Sequence, residues 1–342
     1  MNTLALTEIC HPGQPRQLSK KRLSAHGYPV YGANGIIGYH TEYNREEPVI
    51  TIAGRGNSCG KVHLTQPRSY VTSNALCLEN TRNDIDTEYV YYYLKQYDFS
   101  PLISGAAQPQ LTIKQLRHIR VPILPLSHQK EITATLKKAE QCITQRQEQL
   151  KLLSTLKSAY FTEEMYRIET AGKFTRYTLG DITHIQCGKR NANDAEDNGK
   201  FPFFTCAKSP RRINSHHFNC ECMLVSGNTD FHVQYYKGKF DAYQRIYVIE
   251  TADASTAIVP FLFAWLEYCL PRLQQQAIGG VMPYLRRSML TQLPILVPTL
   301  RAQRKIAMVL HRIQQAKANA QKALAQEKLL FEKLLHQYFR EA

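Results

Sequence analysis

Apolar residues recur every three or four positions along two long stretches of the chain. The first stretch runs from Leu126 to Ala171 and the second from Thr299 to Ala342, and neither contains glycine or proline. Both are rich in Lys, Gln, Glu, Leu and Ala, which are good helix formers. The pattern therefore predicts two helices of about 40 residues, each roughly 60 Å long at about 1.5 Å per residue.

The apolar positions of these two helices form a narrow seam. A long helix with such a seam seldom stands alone and usually pairs with another as a coiled coil. Arg146 and Lys317 fall at core-like positions, so the coiled coil is expected to be short and imperfect. We expect the helices to run antiparallel, with a pseudo-twofold axis relating the two halves of the chain. The residues assigned to helix pairing are Ile132, Leu136, Ile143, Leu150, Ile306, Leu310, Ile313 and Leu324.

The segment that leads into each helix is repeated after 174 residues. GAAQPQLTIKQLRHIRVPILPLSHQKEI, which ends at Ile132, aligns with GGVMPYLRRSMLTQLPILVPTLRAQRKI, which ends at Ile306. Gln129 falls on Gln303 in this alignment. Equal length, equal register and an equal upstream motif indicate an internal duplication rather than two unrelated helices.

Short apolar runs and turn signals fill the chain ahead of each helix. Asn34-Gly35 within YPVYGANGIIGYH predicts a hairpin, and PVITIAG predicts a buried strand. In the second half, FPFFTC and CMLVSGN parallel YPVYGA and VITIAGR. TEYVYYYLKQY and VPFLFAWLEYCL place aromatic residues at helical spacing and predict short helices facing a core. The class is α+β, with domains over 1–126 and 172–300 and helices over 127–171 and 301–342.

The charge balance indicates a polyanionic partner. The chain has 43 Lys and Arg against 28 Asp and Glu, a net charge of +15 spread through both halves. This distribution favours folded basic surfaces, which bind nucleic acid or an anionic membrane surface. No apolar run approaches the roughly 18 residues that span a bilayer, and the N-terminus lacks a signal-peptide pattern. A cytoplasmic protein without a membrane partner is expected.

The common catalytic motifs are missing from the sequence. GRGNSCGKV differs from a phosphate-binding loop, because five residues separate Gly54 from Gly60 and Val62 replaces the required Ser or Thr. No GxGxxG opens a βαβ unit, and there is no nucleophile elbow or HExxH. The segment HHFNCEC crowds its candidate ligands too closely for a zinc site. We expect no catalytic centre, no metal and no cofactor.

The segments VPILPLSHQKEI and LPILVPTLRAQRKI, each leading into a long helix, resemble the specificity subunit of type I restriction–modification systems. The motif LGDI, the stretch PVYGANGIIGY and the loop TIAGRGNSCGKV are also similar to that family, so the resemblance covers essentially the whole chain. It implies two pseudo-symmetric α/β target recognition domains separated by two long antiparallel coiled-coil helices. Each domain would read one half of a bipartite, gapped site in double-stranded DNA. The chain itself would be non-catalytic and would dock two methyltransferase subunits, with an optional restriction subunit.

Two alternative functions stay open at this point. The chain is compact for that family, because it begins almost directly with the first recognition domain and closes with the second helix. This leaves room for the specificity subunit of a type II system that partners a single fused nuclease–methyltransferase. A general nucleic-acid-binding module without sequence preference is the other alternative, and it would show steep salt dependence without discrimination between sequences.

Loops that can reach base edges in the major groove supply the candidate DNA-binding residues. Arg and Lys suit guanine, whereas Asn and Gln suit adenine. Glycines in such a loop permit close backbone approach. In the first domain the candidates are Arg55, Asn57, Ser58 and Lys61. In the second they are a basic turn with Lys208, Arg211 and Arg212, and the counterpart of the glycine loop with Asn228, Asp230 and His232.

Overall fold

The chain divides into two compact units. In a computed structural model, which describes residues 2–105, 108–228, 230–279 and 283–339, unit 1 comprises Met1–Gln147 with Lys322–Ala342, and unit 2 comprises Glu148–Gln321. Each unit contains an α+β body and part of each long helix. Among the residues described, none of the helices combines the length and apolar character needed to cross a membrane.

Short strands and helices precede each of the two long helices along the chain. Those that begin in unit 1 are β1 (Thr3–Ala5), α1 (Leu6–Ile9), β2 (His11–Gly13), β3 (Tyr28–Gly32), β4 (Gly35–His40), β5 (Ile50–Ala53), β6 (Val62–Leu64), β7 (Tyr70–Val71), β8 (Ala75–Glu79), α2 (Thr87–Gln96), α3 (Ile113–Leu116), β9 (Arg120–Pro122) and α4 (Leu126–Ala171). Those that begin in unit 2 are β10 (Phe174–Thr178), α5 (Leu179–Ile182), β11 (Thr183–Cys187), β12 (Phe201–Phe204), β13 (Arg211–Ile213), β14 (Phe218–Ser226), β15 (Val233–Ala242), β16 (Ile246–Thr251), α6 (Val259–Gln276), α7 (Arg287–Thr291), β17 (Pro294–Pro298) and α8 (Leu300–Phe339). The last three positions of the second predicted helix, 340–342, lie outside the described residues.

Unit 1 is built on a four-stranded sheet in the order β2-β8-β5-β6. Strand β5 is buried along its whole length, as its continuous apolar run predicts. Strands β3 and β4 form the predicted hairpin, with Gly35 at a φ of +89° after the turn. The aromatic residues of α2 enter the core, where Tyr89 lies 5.3 Å from Phe339 of α8 between ring centroids.

Unit 2 is built on a six-stranded sheet in the order β11-β16-β14-β15-β12-β13. Strands β14 and β15 are its longest antiparallel pair, and β12 joins β15 in parallel. The predicted helix α6 packs Phe261 and Trp265 into the main core of the unit, while Phe204 and Phe240 fill a smaller one. The predicted α+β class is confirmed.

The two long helices pair in both units. In unit 1, Leu136 near the start of α4 shares a core with Phe331 and Leu335 near the end of α8. In unit 2, Phe161 late in α4 shares a core with Leu310 early in α8. The helices therefore run in opposite directions, and the predicted antiparallel coiled coil is confirmed.

The seam of the coiled coil is uneven. Ile132, Ile306 and Ile313 are buried, Ile143 is half-buried against the core of unit 1, and Leu150 and Leu324 are half-buried. Arg146, which interrupts the apolar pattern, forms an ion pair with Glu327 at 2.8 Å between Nη2 and Oε1. Lys317 is half-buried. The ion pair allows a charged residue to stand in an otherwise apolar interface.

A buried glutamine near the start of each long helix shows the duplication at atomic detail. The Nε2 atoms of Gln129 and Gln303 donate to a carbonyl just before the helix, at 2.7 and 2.9 Å. Their Oε1 atoms accept from the N–H of Asp86 and Ile258, at 2.9 and 3.0 Å. Asp86 and Ile258 are the N-cap residues that immediately precede α2 and α6. Each glutamine thus ties a long helix to the short helix of its unit.

Candidate nucleic-acid interface

A groove of about 360 Å³ runs along one edge of the main sheet of unit 1. It lies where β2 and β5 end and β8 begins, because antiparallel neighbours bring these ends to one edge. Arg55, Gln110 and Lys114, which line the groove, are exposed. The other polar side chains in its lining come from Gln14, Ser73 and Thr112. A guanidinium, an ammonium and two amides in one groove can donate to or accept from base edges and phosphates.

The backbone holds Arg55 beside Gln110. The two residues form an isolated β-bridge, and Leu111 N donates to Gly54 O at 2.9 Å. Gly56 continues the loop at a φ of +73°, a conformation that L side chains rarely adopt. The glycine loop and the segment ahead of α3 are therefore joined into one surface.

The other residues predicted in this loop have different surroundings. Asn57 is exposed and Ser58 half-buried, both within a short 3₁₀ turn. Lys61 is exposed, and its Nζ donates to Asn34 Oδ1 at 3.0 Å, at the turn of the β3–β4 hairpin. The structure places all of them on one loop, but only Arg55 lines the groove.

The hydrogen bond and β-bridge that join the glycine loop to the segment ahead of α3 recur in unit 2, and we call this shared arrangement the frame. Leu285 N donates to Gly227 O at 2.8 Å, as Leu111 N does to Gly54 O. Asn228 forms a β-bridge with Tyr284, in the place of the bridge between Arg55 and Gln110. The predicted equivalence of the two loops therefore has a structural basis.

The frame makes residues of unit 1 structurally equivalent to residues of unit 2 along the corresponding sheet edges. We define the frame positions by these bridges, by strand register and by the 174-residue shift. The five pairs are Gln14 and Cys187, Arg55 and Asn228, Asn74 and Arg245, Gln110 and Tyr284, and Lys114 and Ser288. None of these five pairs has the same residue in both units, whereas the glycine and leucine that form the shared backbone bond, Gly54 with Leu111 and Gly227 with Leu285, are the same in both.

The loop that starts at Asn228 is tied down by its own side chains. Asn228 is half-buried, and its Oδ1 lies 2.6 Å from the Sγ of Cys206, which donates. Asp230 is exposed and pairs with Lys208 at 3.4 Å. The Nδ1 of half-buried His232 lies 2.8 Å from Asp230 O. Lys208, Asp230 and His232 are therefore linked by direct contacts, and Asn228 is held by Cys206.

Two of the predicted basic residues are not in a turn, which corrects the sequence-based description. Arg211 and Arg212 lie on β13, the strand at one side of the six-stranded sheet, whereas Lys208 lies in the bend before it. Arg212 Nε donates to Gly199 O at 2.9 Å, and Arg211 Nη1 donates to Ala192 O at 3.3 Å. The alternation of polar and apolar residues is too short here to reveal the strand.

The sequence pattern did not reveal a group of exposed arginines in unit 2: Arg245, Arg286 and Arg287. Burial raises the pKa of the Tyr247 hydroxyl, and the positive charges of Arg245 and Arg287 partly offset this effect. Tyr247 donates to Leu285 O at 2.8 Å, so the arginines lie close to the frame. One signal was available, because Arg286-Arg287 falls on Thr112-Ile113 under the 174-residue shift.

Within the part of the chain that the structure describes, no group of three or more His, Cys, Asp or Glu residues is placed to hold a metal ion. In the HHFNCEC segment, Cys222 is buried in a core while His216 and His217 are exposed. Burial raises the pKa of the Cys220 thiol to about 11 and that of Cys222 further. Both thiols are therefore protonated near neutral pH and are poor metal ligands.

Two α+β units with paired long helices, each with the same backbone frame but different side chains, define a duplicated protein with two candidate binding surfaces. Residues 1–153 and 172–327 match the family described as the type I restriction modification DNA specificity domain. The chain belongs to this family.

Individual relatives agree with the family match. The chain is similar to the type I restriction enzyme EcoDI specificity subunit of Escherichia coli, with 37% identity over 129 residues, 38% of this chain and 28% of that protein. It is also similar to the EcoprrI specificity subunit of Escherichia coli, with 27% identity over 111 residues, 32% of this chain and 27% of that protein. The chain thus matches less than a third of the length of these two relatives. Its fold is similar to the crystal structure of a type I restriction-modification S subunit from M. genitalium, with a TM-score of 0.78 at 17% identity, covering 99% of this chain and 96% of the other.

Proposed function

We propose that this chain is the non-catalytic DNA-reading subunit of a type I restriction–modification system. Each unit reads one half of a bipartite, gapped site through its edge frame. The observation that carries the proposal is the repetition of one backbone frame with different side chains in the two units. A duplicated frame suits two half-sites, and different side chains suit half-sites of different sequence.

The chemistry of the frame residues fits DNA. Unit 1 offers Arg55, Gln110 and Lys114, and unit 2 offers Asn228 and Arg245. Arginine pairs with guanine and asparagine or glutamine with adenine in the major groove, while lysine and further arginines neutralise phosphates. The net charge of +15 supplies the attraction to the backbone on which such reading depends.

The partners in this proposal are methyltransferase subunits, two of them, with a restriction subunit in a larger assembly. The family match supports these partners. The fold is also similar to a solved structure described as showing the structural basis of complex assembly and conformational transition of the type I system, with a TM-score of 0.53 at 16% identity over 98% of this chain. The methyl transfer then belongs to the partner, which would flip the target base from the duplex.

The decisive experiment is modified-base sequencing of a host that expresses this chain together with the methyltransferase subunit of a type I system from the same genome. We expect one bipartite motif, with two different half-sites and a fixed gap. Each protein expressed alone serves as the control and is expected to leave the genome unmodified. Methylation by this chain alone, or a single uninterrupted motif, would contradict the proposal. A purified complex that binds all sequences equally would favour the general nucleic-acid module instead.

A longer α4 is expected to lengthen the gap of the recognised site. Helix α4 is continuous over Leu126–Ala171 and passes from unit 1 to unit 2 after Gln147. Four residues inserted there add about one turn, roughly 6 Å of helix, which corresponds to about two base pairs of DNA. The readout is the motif found by modified-base sequencing. The matched control is a variant of unchanged length, Leu152→Ala, and the idea fails if the half-sites change while the gap does not.

A further inference from the structure

The residue just before β8 and the residue just before β16 occupy the same place on the two frames. Asn74 O accepts from Gly54 N at 3.4 Å, and Arg245 O accepts from Gly227 N at 2.8 Å. The strand registers agree with this equivalence, since β8 pairs with β5 and β16 pairs with β14 from the next residue onwards. Asn74 therefore lies beside Gly54, which opens the glycine loop of unit 1, and Arg245 lies beside Gly227, which opens the equivalent loop of unit 2.

Close backbone contact fixes Arg245 at this place. A Cβ added to Gly227 would lie 2.7 Å from Arg245 O and 3.0 Å from the ring of Tyr247, so only glycine allows the two segments to approach. Arg245 lies in the short turn between β15 and β16, where its carbonyl is held by Gly227 N at 2.8 Å. A backbone held in this way favours specific contacts, because little conformational entropy is lost on binding.

The polar groups of both side chains are available to a ligand. Asn74 and Arg245 are exposed, and across the described ranges neither side chain has a hydrogen bond or an ion pair. Other arginines of unit 2 differ in this respect. Arg212 donates to two backbone carbonyls, and Arg190 pairs with the buried Asp241 at 3.1 Å. Arg245 thus keeps its guanidinium donors for a partner outside the protein.

We infer that Asn74 and Arg245 are specificity-determining residues, which read the base at equivalent places of the two half-sites. Arg245 reads a guanine through its O6 and N7 atoms, and Asn74 reads an adenine through N6 and N7, since these pairs have matching donors and acceptors. The inference rests on the proposed function and adds to it the identity of two bases.

The first test changes Arg245 in the full-length chain, co-expressed with its methyltransferase and read by modified-base sequencing. Arg245→Ala is expected to make one guanine position of one half-site degenerate, with discrimination reduced about tenfold or more, the value of one bidentate contact. Arg245→Gln is expected to shift the same position toward adenine. The other half-site and the gap stay unchanged. Arg176→Ala, which removes an exposed arginine from β10 of the same unit, is the matched control and leaves the motif intact.

The second test uses the other unit, so that it does not depend on the folding of the first set of variants. Asn74→Arg is expected to replace an adenine by a guanine in the half-site that the Arg245 variants leave unchanged. Weaker methylation with an unchanged motif for these variants would overturn the inference, because it would place both residues on phosphates. If the Arg245 variants and Asn74→Arg changed the same half-site, the two residues could not occupy equivalent places in different units. Failure of the proposed function is distinct from either result, since the unaltered chain would then give no bipartite motif.

Discussion

Replacement of Gln303 by leucine is expected to lower the free energy of unfolding of unit 2 by about 3–5 kcal/mol. The glutamine is fully buried, and its amide bonds to Ile258 N, Thr256 O and Pro298 O at distances of 2.9 to 3.0 Å. Leucine fills a similar volume but leaves these three backbone groups without their partner. A buried polar group that loses its hydrogen bond costs about 1–3 kcal/mol.

Thermal and urea unfolding of the purified chain measure this effect. A loss of that size lowers the melting temperature of a unit of this size by roughly 10 °C. Gln129→Leu is the matched variant and is expected to act in the same way on unit 1, because the same hydrogen bonds recur there. Gln315→Leu, an exposed position on the same helix, is the control and leaves the melting temperature unchanged within error. Equal stabilities of Gln303→Leu and Gln315→Leu would rule out this account.

The second large effect concerns the seam between the helices. Leu136→Ala is expected to destabilise unit 1 by about 3 kcal/mol, because it opens a cavity in a tightly packed core. Leu136 is fully buried and shares that core with Phe331, Leu335 and Phe339. Loss of this contact frees the end of α8 as well as the start of α4. Urea denaturation gives the size of the loss, and protease sensitivity near Phe339 gives its location.

The duplication supplies the matched variant for this prediction too. Leu310 stands 174 residues after Leu136 and is also buried, so Leu310→Ala is expected to destabilise unit 2 to a similar degree. Leu152, with 59% of its surface exposed on α4, is the control, and its replacement by alanine changes stability by about 0.5 kcal/mol or less. The coiled-coil interpretation would be wrong if Leu136→Ala behaved like Leu152→Ala.

The long helices and the duplication could be predicted from sequence because both depend on local or repeated signals. A stretch without glycine or proline and with apolar residues at helical spacing has few alternatives to a helix. Pro125 marks the start, and α4 begins at the next residue, Leu126. The ion pair of Arg146 with Glu327 was not predictable, because the two residues are 181 positions apart. Arg146 could only be described as an interruption of the seam.

The sheets were less accessible from sequence because their pairing is non-local. Strand β12 lies between β15 in parallel and β13 in antiparallel pairing, and no local pattern encodes that order. The assignment of Arg211 and Arg212 to a turn was wrong for this reason. An edge strand of three residues depends on its neighbour for its structure more than on its own propensities.

The candidate site likewise contains one residue that the local sequence predicts and others that depend on non-local strand pairing. Arg55 was predicted because glycines surround it, and glycine-rich loops are visible in any sequence. Asn74 and Arg245 were missed, since each reaches the frame only through the pairing of its strand with a strand more than 15 positions away in the chain. Comparison of the two halves at repeated positions would have drawn attention to Arg286, which replaces Thr112.

Unit 1 is built from two separate segments of the chain, so its core is completed only late in translation. Unit 2 is one continuous segment, whereas unit 1 takes Met1–Gln147 from the beginning of the chain and Lys322–Ala342 from its far end. Tyr89 in the core of unit 1 lies against Phe339, which leaves the ribosome some 250 residues later. Unit 2 can therefore complete its core first, while a nascent chain that stops before residue 322 leaves an apolar surface of unit 1 uncovered. Such truncated products are natural substrates for chaperones and proteases, so only chains translated to this point would carry two complete units.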